Sequence, residues 1–217
     1  MDMELARANM IESQVRTWEV LDQAVLDLLA RIRREDFVPA VYRGLAFADM
    51  ELPIGHGEVM LRPCLEARLA QELLLRPTDR VLEVGTGSGH QAALLAGLAG
   101  QVHSVERLPD LSAAAARRLE AAGVSNVTLH VGNGAQGWPR HGPYDAILLT
   151  GSVPEIPESL RAQLAPGGRL LAIVGRPPVM TARLVTCLAP GVFSDEGLFE
   201  TCVPPLREVA EPSRFTF

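Results

Sequence analysis

The sequence predicts an α/β fold: a doubly wound, mainly parallel sheet with helices on both faces and an N-terminal helical extension. Three observations carry this. Short apolar runs suited to buried strands recur from Arg80 onward: RVLEV, QVHSVE, NVTLHV, YDAILLT and RLLAIVG. Segments with helical periodicity separate the first of them. A glycine-rich turn joins the first run to the helix after it. Strands alternating with helices require right-handed crossovers, and hence parallel strands covered on both sides.

Each element has a local reason. Leu21, Val25, Leu28, Leu29 and Ile32 fall on one face of an amphipathic helix, and a shorter helix over residues 5–15 precedes it. DFVPAVYRGLAFADMELPIGHGE, Asp36 to Glu58, loses periodicity and carries Pro39, Gly44, Pro53, Gly55 and Gly57. It reads as a long loop, and long irregular segments in compact domains tend to be functional. Pro63 opens a helix bearing Leu65, Leu69 and Leu73. Helices are predicted after the glycines to Leu98, from Leu108 to Ala122 with Gly123 as the stop, and from Glu155 to Leu164. Strand candidates at Thr181–Leu188 and Leu198–Val203 lack a helix between them and predict an antiparallel edge. The reading is an N-terminal helical extension with a substrate-side loop over 1–62, and an α/β domain over 63–217.

Composition narrows the function. Net charge is −6 over 217 residues, which opposes a general nucleic-acid binder, since that needs a basic footprint. All 20 positive residues are arginine, so a P-loop lysine, a Schiff base and a lysine general base are excluded. Cys64, Cys187 and Cys202 are far apart and form no C-x-x-C pair, which fits a reduced setting. MDMELARANM is polar, unlike a signal peptide, and no apolar run approaches the ~20 residues of a membrane span. The expectation is a soluble cytoplasmic protein, with no membrane or nucleic-acid partner and an open oligomeric state.

The glycine-rich turn, VLEVGTGSGHQ, is the main chemical signal. A Walker A loop is excluded without lysine. A dinucleotide loop, G-x-G-x-x-G, fits Gly85 and Gly87 but meets His90 where a small residue belongs. An acidic-x-G-x-G-x-G loop for S-adenosylmethionine fits Glu83, Gly85, Gly87 and Gly89, with Thr86 and Ser88 interleaved. In that reading Glu106 ends the next strand, and its carboxylate accepts hydrogen bonds from both ribose hydroxyls. Arg107 follows it.

With these residues in view, the chain resembles the protein-L-isoaspartate O-methyltransferases. RREDFVPAVYRGLAFADMELPIGHGE is similar to that family's N-terminal segment, VLEVGTGSGHQAALLA to its cofactor loop, and HSVER to its ribose-binding strand end. VGNGAQGWP is similar to its G-D-G segment, and PYDAILLTGSVPEIPESLRAQLAPGGRLLAIVG to its fourth and fifth strands. The segments come in the family's order from Leu21 to Gly175, with an echo in CVPPL. The resemblance implies a Rossmann-like methyltransferase fold. It also implies methyl transfer from S-adenosylmethionine to the α-carboxylate of isoaspartyl residues in damaged proteins, a repair reaction. Cofactor contacts are then expected from Met60, Glu83, Gly85, Thr86, Gly87, Ser88, Gly89, Glu106, Arg107, Gly132, Asn133, Gly134 and Thr150.

The sequence departs from the family at the acceptor site. The family's Thr-Ile-Ser falls on Val59, Met60 and Leu61. Leucine cannot hydrogen-bond a carboxylate, which leaves Leu61, the adjacent Arg62 and the glycine-flanked His56 as substrate-side candidates. The G-D-G aspartate is Asn133, whose amide oxygen still accepts a hydrogen bond. His90 replaces a frequent aromatic. A methyltransferase for another acceptor and a non-catalytic S-adenosylmethionine-binding protein stay open beside the repair reading. His103, His130 and His141 have no ligand spacing, and no metal is expected.

Overall fold

The computed structural model describes residues 2–209. Its centre is a seven-stranded sheet in the order β5-β4-β3-β6-β7-β8-β9. These are β3 (Arg80–Val84), β4 (Gln101–Glu106), β5 (Val127–Val131), β6 (Tyr144–Leu149), β7 (Leu164–Arg176), β8 (Val179–Ala189) and β9 (Val192–Thr201). β3 to β7 run parallel, whereas β8 and β9 add an antiparallel edge. The predicted fold class and its antiparallel end are both present.

Helix α3 (Pro63–Glu72) begins on Pro63, whose missing N–H is no loss in a first turn. With α4 (His90–Leu98) it covers one face through Leu65, Leu69, Leu73 and Leu95. α5 (Pro109–Ala121) packs beside α4, and Gly89 sits with φ +89° where a Cβ would approach Ala115 to 3.1 Å. Among the described residues the other face is covered by Tyr144, Ile156, Leu160 and Leu164, around the short helix α6 (Glu158–Arg161).

The N-terminal helices share this core. α1 (Met3–Met10) is capped by Asp2, whose carboxylate accepts the Leu5 N–H. α2 (Gln23–Arg31) is capped by Asp22 and buries Val25, Leu28 and Leu29. Each such leucine contributes about 1.5–3 kcal/mol over an exposed one. These residues form one cluster with Cys64, Ala92 and Leu119, so the extension is packed on α3, α4 and α5. No helix among the described residues is long and apolar enough to cross a membrane.

Three local expectations are corrected. Leu21 precedes α2 and is 69% exposed, because the cap at Asp22 sets the helix start after it. The loop over 36–58 contains one strand of a hairpin, β1 (Leu52–Gly55), paired antiparallel with β2 (Glu58–Met60). Pro53 and two glycines hide its alternation, in which Leu52 and Ile54 are buried. The helix expected over Glu155–Leu164 shrinks to α6, since Pro157 delays its start and Leu164 already pairs with Tyr144.

Candidate functional site

A cleft opens beyond the carboxyl ends of β3, β4 and β6, where the strand order reverses between β3 and β6. Open α/β sheets bind ligands at such switch points. Its empty space, open mouth included, is about 920 Å³, the scale of a nucleoside-sized ligand site.

The glycine loop forms one wall. Gly85 has φ +97°, and a Cβ there would lie 2.3 Å from Thr150 Oγ1, so only glycine fits. Thr150 donates its hydroxyl to the Gly85 carbonyl at 2.7 Å and lies beside the Val84 carbonyl at 3.0 Å. Glu106 accepts the Gly87 N–H at 2.9 Å and the Leu108 N–H at 3.0 Å. Those two bonds fix the carboxylate at the end of β4 and leave lone pairs on both oxygens for vicinal hydroxyls. Gln91, in the first turn of α4, is buried and lines the cleft with both amide atoms unpartnered. A buried amide without partners is costly, and a polar ligand in the cleft satisfies it.

Glu83 has a different place. It is fully buried beneath the loop and outside the cleft lining, accepting a hydrogen bond from Ser104, which in turn meets Thr86. Burial, with Glu106 nearby, pushes its carboxyl up to about 8 against the Ser104 hydrogen bond, so it is neutral at pH 7. It supports the loop from below.

The opposite wall is the β1–β2 hairpin. Ile54, Glu58, Val59, Met60 and Leu61 line the cleft. Beneath Leu61 lies a dry polar network. Arg34 pairs with Glu66, donates to the Leu61 carbonyl at 2.5 Å and to the Ala46 carbonyl at 2.8 Å. His90 Nδ1 meets Glu66 at 2.8 Å, and its ring sits edge-on to Phe37 at 5.4 Å. Burial and the Arg34 charge hold His90 well below the usual imidazole range, so it is neutral and donates from Nδ1 to Glu66. Burial pulls Arg34 down to about 9, which leaves it a cation at pH 7.

The segment after β9 closes the cleft. Pro204, Pro205, Leu206 and Arg207 line it, and Arg207 pairs with Glu58 across the mouth at 3.1 Å. Glu208 bridges Arg107 at 2.8 Å and the Asn133 amide nitrogen at 3.0 Å. Asn133 Oδ1 accepts the Ala135 N–H at 2.8 Å and keeps one acceptor position.

Of the residues expected from sequence, Met60, Leu61, Gly85, Thr86, Gly87, Ser88, Glu106, Arg107, Gly132, Asn133, Gly134 and Thr150 meet in this cleft. Four expected residues lie outside its lining. Glu83 is beneath the loop and Gly89 packs on α5. His56 is exposed near Asp110, at 3.7 Å. Arg62 turns away, its guanidinium over Trp18 at 4.6 Å and donating to Thr201 Oγ1 at 3.0 Å. Sequence reading missed Gln91, Glu66, Leu111 and Arg207. Only Arg207 had a signal, its adjacency to the CVPPL echo.

Comparison with known proteins agrees with this geometry. The family model described as protein-L-isoaspartate(D-aspartate) O-methyltransferase matches residues 6–186. The chain is 48% identical over 169 residues to a protein-L-isoaspartate O-methyltransferase of Methanoculleus marisnigri, covering 78% of this chain and 77% of that one. It is 41% identical over 203 residues to the Methylorubrum populi protein of the same name, covering 94% and 95%. Among solved structures, a protein-L-isoaspartate O-methyltransferase shares the fold with TM-score 0.78 and 27% identity, covering 92% of this chain and 65% of that one. A Plasmodium falciparum structure described as a protein of this kind, in complex with S-adenosyl-L-homocysteine, has TM-score 0.80 at 21% identity, covering 92% and 97%. The chain therefore belongs to the protein-L-isoaspartate(D-aspartate) O-methyltransferase family, whose members are S-adenosylmethionine-dependent methyltransferases.

Proposed function

We propose that this protein methylates the free α-carboxylate of isoaspartyl residues in proteins and peptides, with S-adenosylmethionine as donor. The observation that carries the reading is the seating of the β1–β2 hairpin on the glycine loop. Ile54 Cδ1 lies within 3.2 Å of where a Cβ on Gly87 would be, so an acceptor held by the hairpin is pressed onto the cofactor wall.

The residues fit the cofactor. Glu106 would hold the ribose hydroxyls, Asn133 and the Gly132–Gly134 turn would face the base, and the unpartnered amide of Gln91 would gain a polar partner. When bound, the donor supplies an electrophilic methyl group on a sulfonium. The acceptor needs no general base, because a carboxylic acid of pKa near ~4 is already ionised at pH 7. The protein's task is placement of one oxygen in line with the methyl carbon and exclusion of water. Val59, Leu61, Leu111 and Leu206 supply apolar walls for that.

Leu61 offers no hydroxyl, and its carbonyl is held by Arg34. Arg62, occupied by Trp18 and Thr201, is poorly placed for the acceptor. Two arginines line the cleft, Arg107 paired with Glu208 and Arg207 paired through Nε with Glu58 of the hairpin; Arg207, on the hairpin side, takes the carboxylate-guiding role through its terminal N–H groups. A second reading, methylation of another acceptor, is favoured by the paired loss of hydroxyls at Val59 and Leu61. Labelled methyl transfer to an isoaspartyl peptide and its aspartyl twin separates them. Isoaspartyl-selective turnover, with KM raised by Arg207→Gln far more than by Arg62→Gln, supports the proposal. Tight cofactor binding with no selective turnover sinks the isoaspartyl assignment and favours the second reading.

A further inference from the structure

We propose that His103, His130 and His141 form a binding site for a borderline transition-metal ion of the Zn(II), Cu(II) or Ni(II) class. The three residues are scattered in sequence, and the fold gathers them at the edge of the sheet. One ligand-capable atom from each lies within 4.8 Å of the others. His103 Nδ1 and His130 Nε2 are 3.1 Å apart. Two imidazoles on one tetrahedral Zn(II), each at about 2.0–2.1 Å, have their nitrogens about 3.3 Å apart. The first pair, joined by a ring-to-ring hydrogen bond, lies within about 0.2 Å of that separation, and an ion takes the place of the shared proton.

The placement follows from sheet geometry. His103 on β4 is in register with Thr128 on β5, so His130, two residues on, projects from the same face. His141 ends the single turn Pro139–His141 that folds over this edge. Its ring lies 4.5 Å from His103 and 4.9 Å from His130, centroid to centroid. The rings are stacked, 13° to 27° from parallel. Coordination requires them to fan so that three lone pairs meet. His130 and His141 are half-buried and have room to turn, whereas His103 is the buried anchor.

The chemistry selects the ion. Three imidazoles with no carboxylate suit zinc, copper or nickel rather than magnesium or calcium, which take oxygen ligands. Arg80 and Arg140 oppose a cation here, so retention depends on direct nitrogen donation, not on long-range field. With three ligands the fourth position is open to water. The site is separate from the methyl-transfer cleft but adjoins it. His130 also touches the Trp138 ring at 5.3 Å, and that ring packs against Gly132 of the cofactor wall.

The test uses the tag-free full chain, stripped with chelator and titrated with Zn(II) by calorimetry. One ion per chain is expected, with a rise in melting temperature of roughly 5–10 °C at a hundredfold excess over Kd. His141→Ala, in a half-exposed turn, should weaken binding at least tenfold to a hundredfold, since even loss of an outer-shell partner costs about that. His56→Ala and Cys202→Ser should leave it unchanged. Cu(II) should quench Trp138 fluorescence in the parent and not in His141→Ala, read in a Trp18→Phe background. Absence of Zn(II) binding, or binding indifferent to both His141→Ala and His130→Ala, overturns the proposal.

Discussion

Removing Glu66 should do more damage than its small contact list suggests. Arg34 is 1% exposed and Glu66 2%, and the two are paired in a site almost without solvent exposure. Glu66→Leu strands a buried guanidinium whose pKa burial already lowers to about 9 in the parent, and it removes the carboxylate that faces it. Breaking a buried pair from one side costs about 3–5 kcal/mol. The lost acceptor for His90 Nδ1 falls inside that range, because the same relaxation serves both groups. Against a total stability of about 5–15 kcal/mol, this is a large fraction. Arg34→Met with Glu66→Leu removes both charges and should cost less than Glu66→Leu alone. Urea unfolding at pH 7 with unchanged m-value measures each. Where Glu66→Leu folds, Arg34 no longer holds the Leu61 carbonyl firmly, so acceptor KM should rise more than cofactor Kd. A Glu66→Leu cost below about 1 kcal/mol, or a double variant worse than the single, would refute the reasoning.

Three further outcomes follow from the same geometry. Glu83 titrates at about 8 when folded and 4.5 as a free carboxyl. Its raised pKa costs nothing below pH 4.5, costs progressively more as pH rises to about 8, and is constant above. Glu83→Gln should therefore gain stability relative to the parent across that window, by an amount on the order of a few kcal/mol; a difference independent of pH in paired urea melts would contradict the burial argument. Glu106→Gln loses a charge-assisted acceptor and loosens Gly87 and Leu108; cofactor affinity by calorimetry should fall about 10–100-fold, from roughly 1.5–3 kcal/mol, and an unchanged Kd would remove Glu106 from the site. Gly85→Ala, at φ +97° against Thr150 Oγ1, should destabilise by about 1–3 kcal/mol and abolish tight cofactor binding. Normal binding would mean that the loop is not closely approached.

Much of the sheet and most of the residues that line the cleft were legible in the sequence because both are local. A strand, its glycine turn and the carboxylate ending the next strand are set by neighbours in the chain, and Glu106, Gly85 and Gly87 meet as their spacing implies. What was not legible depends on direction rather than order. Arg62 adjoins Leu61, yet the Pro63 helix start and the Trp18 ring turn its guanidinium away from the cleft. Arg207, far along the chain, arrives at the mouth because the segment after β9 pairs back through Ser152 and Pro205. His90 shows the same limit more sharply. Read alone, it is an awkward residue at a position where the family often has an aromatic. In the structure its Nδ1 donates to Glu66, and Glu66 is tolerable in a dry site only because Arg34 neutralises it. Arg34, in turn, is tolerable only because Glu66 and two backbone carbonyls accept its hydrogen bonds. No member of that set can be explained by itself: a change at 66 leaves both Arg34 and His90 without their partner. The carbonyl that Arg34 holds belongs to Leu61 in the cleft wall, so this buried network also sets where the end of the β1–β2 hairpin lies against the cleft.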